Sequence, residues 1–184
     1  MCVTSLCTRG ALDTWSRGRS TAALCAKLSV AFLASNVGSG GEVSSAKADC
    51  EALLEAVVPF AERMLREHGE FFPYGGALDP HGGITNVAGY DGREQPPSED
   101  IIALIKEAFV EGARAGSYVA TALVYDVRIT VPTSREDSDA IAVSLNHRDN
   151  YSVVVLFPYQ LSDGELKLGA TIAKRGEADV FVSS

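Results

Sequence analysis

The side chain best suited to proton transfer is the imidazole of His147, which ends an apolar run and precedes Arg148 and Asp149. A general base here needs a carboxylate or carbonyl that orients one ring nitrogen and a substrate within reach of the other. The hydroxyl groups of Tyr74 and Tyr159 would donate hydrogen bonds to such a substrate. These three residues are the catalytic candidates, with His147 as acid or base. A solvated histidine in a hairpin turn is the simpler interpretation, and we favour it.

Metal-binding patterns are weak in this sequence. The three histidines are too far apart for a motif such as H-x-x-x-H. The acidic loop with Glu136, Asp137 and Asp139 offers oxygen ligands for a divalent cation, but it lacks the glycine and the closing glutamate of an EF-hand loop. The sequence also contains no P-loop, no dinucleotide-binding glycine motif and no G-x-S-x-G elbow. We therefore predict no metal and no cofactor, and a solvated charged turn at the acidic loop.

Composition limits the class of protein. The chain has 184 residues, 46% of them hydrophobic, which predicts one globular domain with a sizeable core. Its formal net charge of -8 argues against nucleic-acid binding, which requires clustered Lys and Arg. No stretch approaches the ~20 apolar residues of a membrane span. We expect a soluble, cytoplasmic protein.

Residues 1–45 differ from the rest of the chain. They are rich in Ser, Thr, Ala and Gly and contain three of the four cysteines. One alternative is a secretory signal, although Lys27 limits the apolar run to Leu28–Ala34, and another is an organellar transit peptide, which fits the Arg and Ser bias. We favour a poorly ordered extension followed by a single domain over residues 46–184. The fourth cysteine, Cys50, is predicted to be a core residue in a reducing compartment.

The domain is organised around residues 117–159, where three apolar runs alternate with polar side chains. Short loops separate the runs, so the sequence predicts an antiparallel meander. One side of the first strand is expected to be buried along its whole length, and the second side begins apolar and ends charged. The first side consists of Val119, Thr121, Leu123, Tyr125, Val127, Ile129 and Val131, and the apolar part of the second consists of Tyr118, Ala120, Ala122 and Val124.

Two helices and a hairpin precede this meander. Apolar residues three and four apart predict helices over 46–68, with a kink or break at Pro59, and over 99–115; Ser45 and Ser98 are the expected caps. The predicted hairpin pairs 71–78 with 84–90. Because of Pro73 and the pair Gly75-Gly76, we predict that its first strand is an edge or bulged strand, or else a site of close backbone approach. Further strands are predicted over 164–174 and 180–182.

The order of elements predicts an α+β fold, in which two helices pack on one face of an antiparallel sheet of six to seven strands. Profilin-like and roadblock-like modules have analogous orders, and many of them are binding or scaffolding domains. Function does not follow from this analogy.

Several short motifs in residues 46–184 resemble a set of uncharacterised bacterial single-domain proteins. These motifs are Glu70-Phe71-Phe72-Pro73-Tyr74-Gly75, Asp139-Ala140-Ile141, Asn146-His147-Arg148 and Pro158-Tyr159. The resemblance implies no activity, no catalytic residue and no cofactor.

Aromatic side chains provide the candidates for binding. A sheet face with several tyrosines buries apolar area and offers hydroxyl groups to a partner, although the same rings would also line a core. Tyr118, Tyr74, Tyr90 and Arg148 are the binding candidates. We expect a non-catalytic binding or interaction module with a protein partner or as a homodimer; the alternative is a small-molecule enzyme whose pocket lies near His147.

Overall fold

Two helices and seven strands form the part of the chain that the structure describes. A computed structural model describes residues 42–90, 92–93, 96–133 and 135–181, all of which belong to one compact unit. In chain order the elements are α1 (Glu42–His68), β1 (Tyr74–Leu78), β2 (Ile84–Ala88), α2 (Ser98–Arg114), β3 (Ala120–Thr130), β4 (Asp137–His147), β5 (Tyr151–Ser162), β6 (Glu165–Leu168) and β7 (Ile172–Arg175).

All seven strands lie in one antiparallel sheet, which confirms the predicted α+β class and the β3-β4-β5 meander. The order is β2-β1-β3-β4-β5, and both β6 and β7 pair with β5. β6 and β7 occupy successive parts of β5, so they correspond to the single strand predicted over 164–174. The pairing is irregular between them, where the Gly169 N–H donates to the Pro158 carbonyl at 2.7 Å. Val180 and Phe181 are not in a strand, so that prediction is wrong for these two residues.

The two helices pack on opposite faces of the sheet, and the prediction that they share one face is wrong. Gly75 and Gly76 show this most directly, because successive residues of a strand point to opposite faces. A Cβ atom on Gly75 would lie 2.5 Å from Phe109 of α2, whereas one on Gly76 would lie 2.7 Å from Val57 of α1. At β1, the sheet is therefore the middle of three layers, with α1 on one face and α2 on the other.

Each face has its own hydrophobic core. The larger core lies between α1 and strands β1, β3, β4 and β5 and contains Leu53, Val57, Ala61, Leu65, Ala122, Val124, Ile141, Val143, Leu145 and Val155. The smaller core lies under α2 and contains Ala77, Ile101, Ile105, Phe109, Leu123 and Val180. Cys50 belongs to the larger core and is 2% exposed, as the sequence predicts.

Strand β1 is central, not an edge or bulged strand as predicted. It pairs with β2 on one side and β3 on the other, and its register is unbroken from Tyr74 to Leu78. The two glycines of β1 instead permit the close backbone approach that was the alternative interpretation. Their missing side chains let α1 and α2 approach the strand from both faces. The edge position belongs to β2.

The helices begin earlier than predicted. α1 begins at Glu42, so Ser45 lies inside the helix and is not its cap, and the helix continues without a break through Pro59. α2 begins at Ser98, and its N-cap is Pro97, which makes no side-chain capping hydrogen bond. Ser98 is therefore the first helical residue and not the cap.

Burial along β3 follows the prediction on one side of the strand and departs from it on the other. Ala120, Ala122 and Val124 are buried, and the same side then becomes exposed, as expected. The opposite side is fully buried only as far as Leu123, because α2 covers the beginning of β3. Beyond that point Tyr125 and the next two apolar residues on this side are half-buried.

Candidate functional site

His147 is the last residue of β4 and is 3% exposed, so it is not the solvated turn residue that was favoured. Its Nε2 lies 3.2 Å from Oδ2 of Asp49 on α1. Its Nδ1 accepts a hydrogen bond from the backbone N–H of Asp149 at 3.1 Å. Because Nδ1 is an acceptor, Nε2 carries the proton and donates to Asp49. Both ring nitrogens are thus occupied by protein groups, and the imidazole links the end of β4 to the first turns of α1.

The structure does not bring the three catalytic candidates together. Tyr159 pairs with Asp139, which lies eight residues before His147 on β4, a separation of about 26 Å along the strand. Tyr74 lies on β1, two strands away from β4. It pairs with Val124 on β3, which in turn pairs with Val143, four residues before His147 on β4. That offset is about 13 Å along the strand plus about 10 Å across it. Both tyrosines are therefore too far from His147 to contact the same small substrate.

Tyr74 has a structural contact that the sequence did not reveal. Its hydroxyl accepts a hydrogen bond from the Ala61 N–H at 3.1 Å and donates one to the Val57 carbonyl at 2.7 Å. In an undisturbed helix these two backbone groups would bond to each other. The hydroxyl therefore bridges the helix ladder at Ala61, two residues beyond Pro59, whose own N–H is missing. Burial raises the pKa of the Tyr74 hydroxyl, so it remains a donor at neutral pH.

Tyr159 lies in an acidic cleft at the C-terminal end of α1. Its hydroxyl is 3.2 Å from both carboxylate oxygens of Asp126. Loss of solvation raises the pKa of Asp126, and the same cause together with the neighbouring carboxylates raises the pKa of Tyr159. The cleft encloses about 380 Å³ and is lined in part by Gly69, Arg128 and Asp139.

The cleft offers carboxylate acceptors but little more. Arg128 Nη1 is 3.9 Å from Asp139 Oδ1, so part of the negative charge is offset by a cation. Within the residues that the structure describes, no three His, Cys, Asp or Glu side chains are grouped as metal ligands, and this includes the acidic loop around Asp137. The cleft is therefore a polar surface depression lined by carboxylates, Arg128 and Tyr159.

Strand β2 is the exposed edge of the sheet next to β1. Four of its five residues are exposed, and only Val87 is half-buried, against the core under α2. The Asp79 N–H donates to the Gly83 carbonyl at 2.9 Å, and the Leu78 carbonyl accepts from the Val119 N–H, just before β3. By the alternation of an antiparallel ladder, the backbone N–H and C=O groups of Ile84, Asn86 and Ala88 point away from β1. No strand of the described residues pairs with these groups, so they form a template for another strand.

Large apolar side chains surround this edge. Ile84 at the beginning of β2 is 41% exposed, and Tyr90, just beyond its end, is 78% exposed. Phe72, which precedes β1 by two residues, is 52% exposed. Tyr74 pairs with Ala88, so Phe72 and Tyr90 lie at the same end of the β1-β2 hairpin. Of the four binding candidates, Tyr90 is therefore the one that this surface includes.

The remaining binding candidates lie elsewhere. Tyr118 packs against Gly112 of α2, and Tyr74 is buried under α1. Arg148 is exposed beside His147, and its Nε is 3.9 Å from Asp149 Oδ1. The apolar part of the second side of β3, with Ala120, Ala122 and Val124, is covered by α1.

Charge distinguishes β2 from the other open strand edges. The sequence of β2, Ile-Thr-Asn-Val-Ala, contains no charged residue. Natural edge strands are commonly protected against pairing by charged side chains, proline or bulges. The other strands with an unpaired side in the described chain are the end of β3 and the pair β6 and β7, and they contain Asp126, Arg128, Glu165, Lys167, Lys174 and Arg175.

The sequence contains a signal for this edge. The run Ile84–Ala88 contains three β-branched residues, is uncharged and is bounded by Gly83 and Gly89. A pattern of this kind predicts a strand without protection against pairing. Pro73 and the two glycines of β1 favour the edge position for β1 instead, because proline and glycine are more common at edges than inside sheets.

Comparison with known proteins does not add to this description. No family model, no curated protein and no solved structure matches the chain. In the described residues, neither helix has the length and apolar character needed to cross a membrane. The candidate site therefore depends on the geometry of β2 and the side chains around it.

Proposed function

We propose that residues 42–181 form a non-catalytic protein-interaction module that binds its partner by strand addition at β2. The observation that carries this proposal is the uncharged edge of β2, with outward backbone groups and exposed apolar side chains at both ends. In strand addition, main-chain hydrogen bonds give affinity, and the side chains beside the strand give specificity. The catalytic candidates support the same conclusion, because His147 and Tyr74 already have protein partners.

The chemistry of the partner follows from the surface of β2. A strand that pairs with it meets Ile84, Asn86 and Ala88 on one face and Thr85 on the other, all of which are uncharged. Phosphate groups have no cluster of Lys or Arg to bind in this region, and the net charge of the chain is -8. The proposed partner is therefore an extended protein segment in a cytoplasmic, reducing compartment, and not a nucleic acid.

A photocrosslinking amino acid tests the proposal. We place p-benzoylphenylalanine at Asn86 on β2 and, as a matched control, at Lys167 on the opposite edge of the sheet, since both positions are exposed. Irradiation in the cell from which the protein comes is expected to give discrete protein adducts from position 86 and none from position 167. If position 86 gives no adduct, or if both positions give the same adducts, binding at β2 is excluded.

A further inference from the structure

Strand β2 is complementary to itself. Antiparallel pairing of two copies centred on Asn86 places this residue opposite Asn86 of the second copy. The same register places Ile84 opposite Ala88 and Thr85 opposite Val87. Large and small apolar residues then face each other, and the two central amides can exchange hydrogen bonds. We infer that two copies of this chain associate through β2, which joins their sheets across a two-fold axis; this inference rests on the proposed function and specifies its partner.

The ends of the strand fit the same arrangement. Continuing the register beyond the strand places Tyr90 of one copy opposite Gly82 of the other. A Cβ atom on Gly82 would have no neighbour within 4 Å, so the space above this residue is open. The Tyr90 ring can occupy that space and contact Ile84 of the second copy. Two of the large exposed apolar side chains are thereby covered in each copy.

Charge favours a second copy at this edge over the other edges. Two copies of a chain with net charge -8 repel each other at a distance, and the repulsion is weakest where neither surface is charged. β2 is uncharged, whereas β6 alone brings Glu165 and Lys167 to the opposite edge. Since salt screens the remaining repulsion, association through β2 strengthens as ionic strength rises.

The size of the contact sets its strength. Five residues extend about 17 Å along the edge, and a contact of this length buries well under the ~1,200 Å² at the lower limit of stable interfaces. The dimer is accordingly weak and reversible, with association in the micromolar range or weaker. It exchanges readily with a monomer whose β2 edge is free.

Introducing a charge at the two-fold axis tests the inference. Self-association of the full-length protein is measured by sedimentation velocity over a series of concentrations. Asn86→Lys and Asn86→Asp each place like charges opposite each other, so each variant alone is expected to lose self-association by about fivefold or more. An equimolar mixture of the two variants pairs opposite charges and is expected to recover it. Lys167→Glu on β6 is the matched control and leaves the association unchanged.

Three results would overturn the inference. The first is a wild-type chain that remains monomeric at every concentration, and the second is a dimer that Asn86→Lys does not weaken. The third is a mixture of the two variants that recovers nothing, because only self-pairing at position 86 predicts recovery. A monomeric chain whose position 86 crosslinks to a different protein refutes self-pairing but retains the interaction module. A monomeric chain with no adduct refutes both.

Discussion

Adding one methyl group to Gly75 tests the three-layer arrangement at its tightest point. A Cβ atom there would lie 2.5 Å from Cζ of Phe109 and 2.9 Å from the backbone oxygen of Ala122. The carbonyl belongs to the paired strand β3 and cannot move without disturbing the sheet, and Phe109 is fully buried. Overpacking of this kind costs about 1–3 kcal/mol, while replacing glycine by alanine recovers about 0.4–1 kcal/mol by restricting the unfolded chain. We expect Gly75→Ala to lower the free energy of unfolding by about 1–2 kcal/mol.

Gly76→Ala is the companion change on the other face. Its Cβ atom would lie 2.7 Å from Cγ1 of Val57, a buried β-branched side chain with little rotamer freedom. The expected loss is about 1–2 kcal/mol. Gly169→Ala is the control, because its Cβ atom would make ordinary contacts at 3.5 Å and the expected change is within about 0.5 kcal/mol of zero.

Urea denaturation followed by circular dichroism measures these differences, and an unchanged m-value shows that the denatured state is comparable. Amide hydrogen exchange then assigns each loss to a helix. Gly75→Ala is expected to speed exchange in α2 and Gly76→Ala in α1, since local stability depends on local packing. A neutral Gly75→Ala variant, or two variants that loosen the same helix, would refute the placement of the helices on opposite faces.

Two further changes probe buried polar groups. Tyr74→Phe removes the hydroxyl that bridges the α1 ladder and is expected to lower the free energy of unfolding by about 1 kcal/mol. Tyr90→Phe, at an exposed position, is the control and is expected to be neutral. Equal effects of the two changes in urea denaturation would contradict the bridging role. Burial raises the pKa of Cys50 from 9.0 to about 12, so the unfolded chain loses this proton first, and stability falls as pH rises above about 9. Cys50→Ala is expected to reduce that slope by up to about 1.4 kcal/mol per pH unit between pH 9 and 10, and an unchanged slope would show that the thiol is not the group responsible.

The antiparallel meander was predictable because its signals are local. Alternation along β3 distinguishes two sides of one strand, and the short loops before β4 and β5 permit only antiparallel neighbours. The same locality explains the prediction of both helices from apolar spacing. Errors of a few residues at their ends follow from caps that the sequence suggested and the structure does not use.

The placement of the helices was not predictable in this way, because it depends on contacts between distant parts of the chain. An amphipathic helix shows which of its own sides is buried, but not which face of a sheet receives it. The adjacent glycines of β1 were the relevant clue, since a strand with no side chain on either face can be covered from both. The sequence favours an edge or bulged strand here, because a bulge uses the same residue type for a different reason, and leaves close backbone approach as the alternative.

The candidate side chains and the backbone of β2 differ in whether their hydrogen-bonding groups already have partners within the protein. An acid-base residue must keep a ring nitrogen free for its substrate, and both nitrogens of His147 hold parts of the protein together. The hydroxyl of Tyr74 is likewise committed to α1, and that of Tyr159 to Asp126. Main-chain groups at the open edges of the described sheet are not committed in this way, and at β2 an uncharged sequence neither blocks nor repels another strand. For this reason we propose recognition by strand pairing at β2 and not chemistry at a pocket.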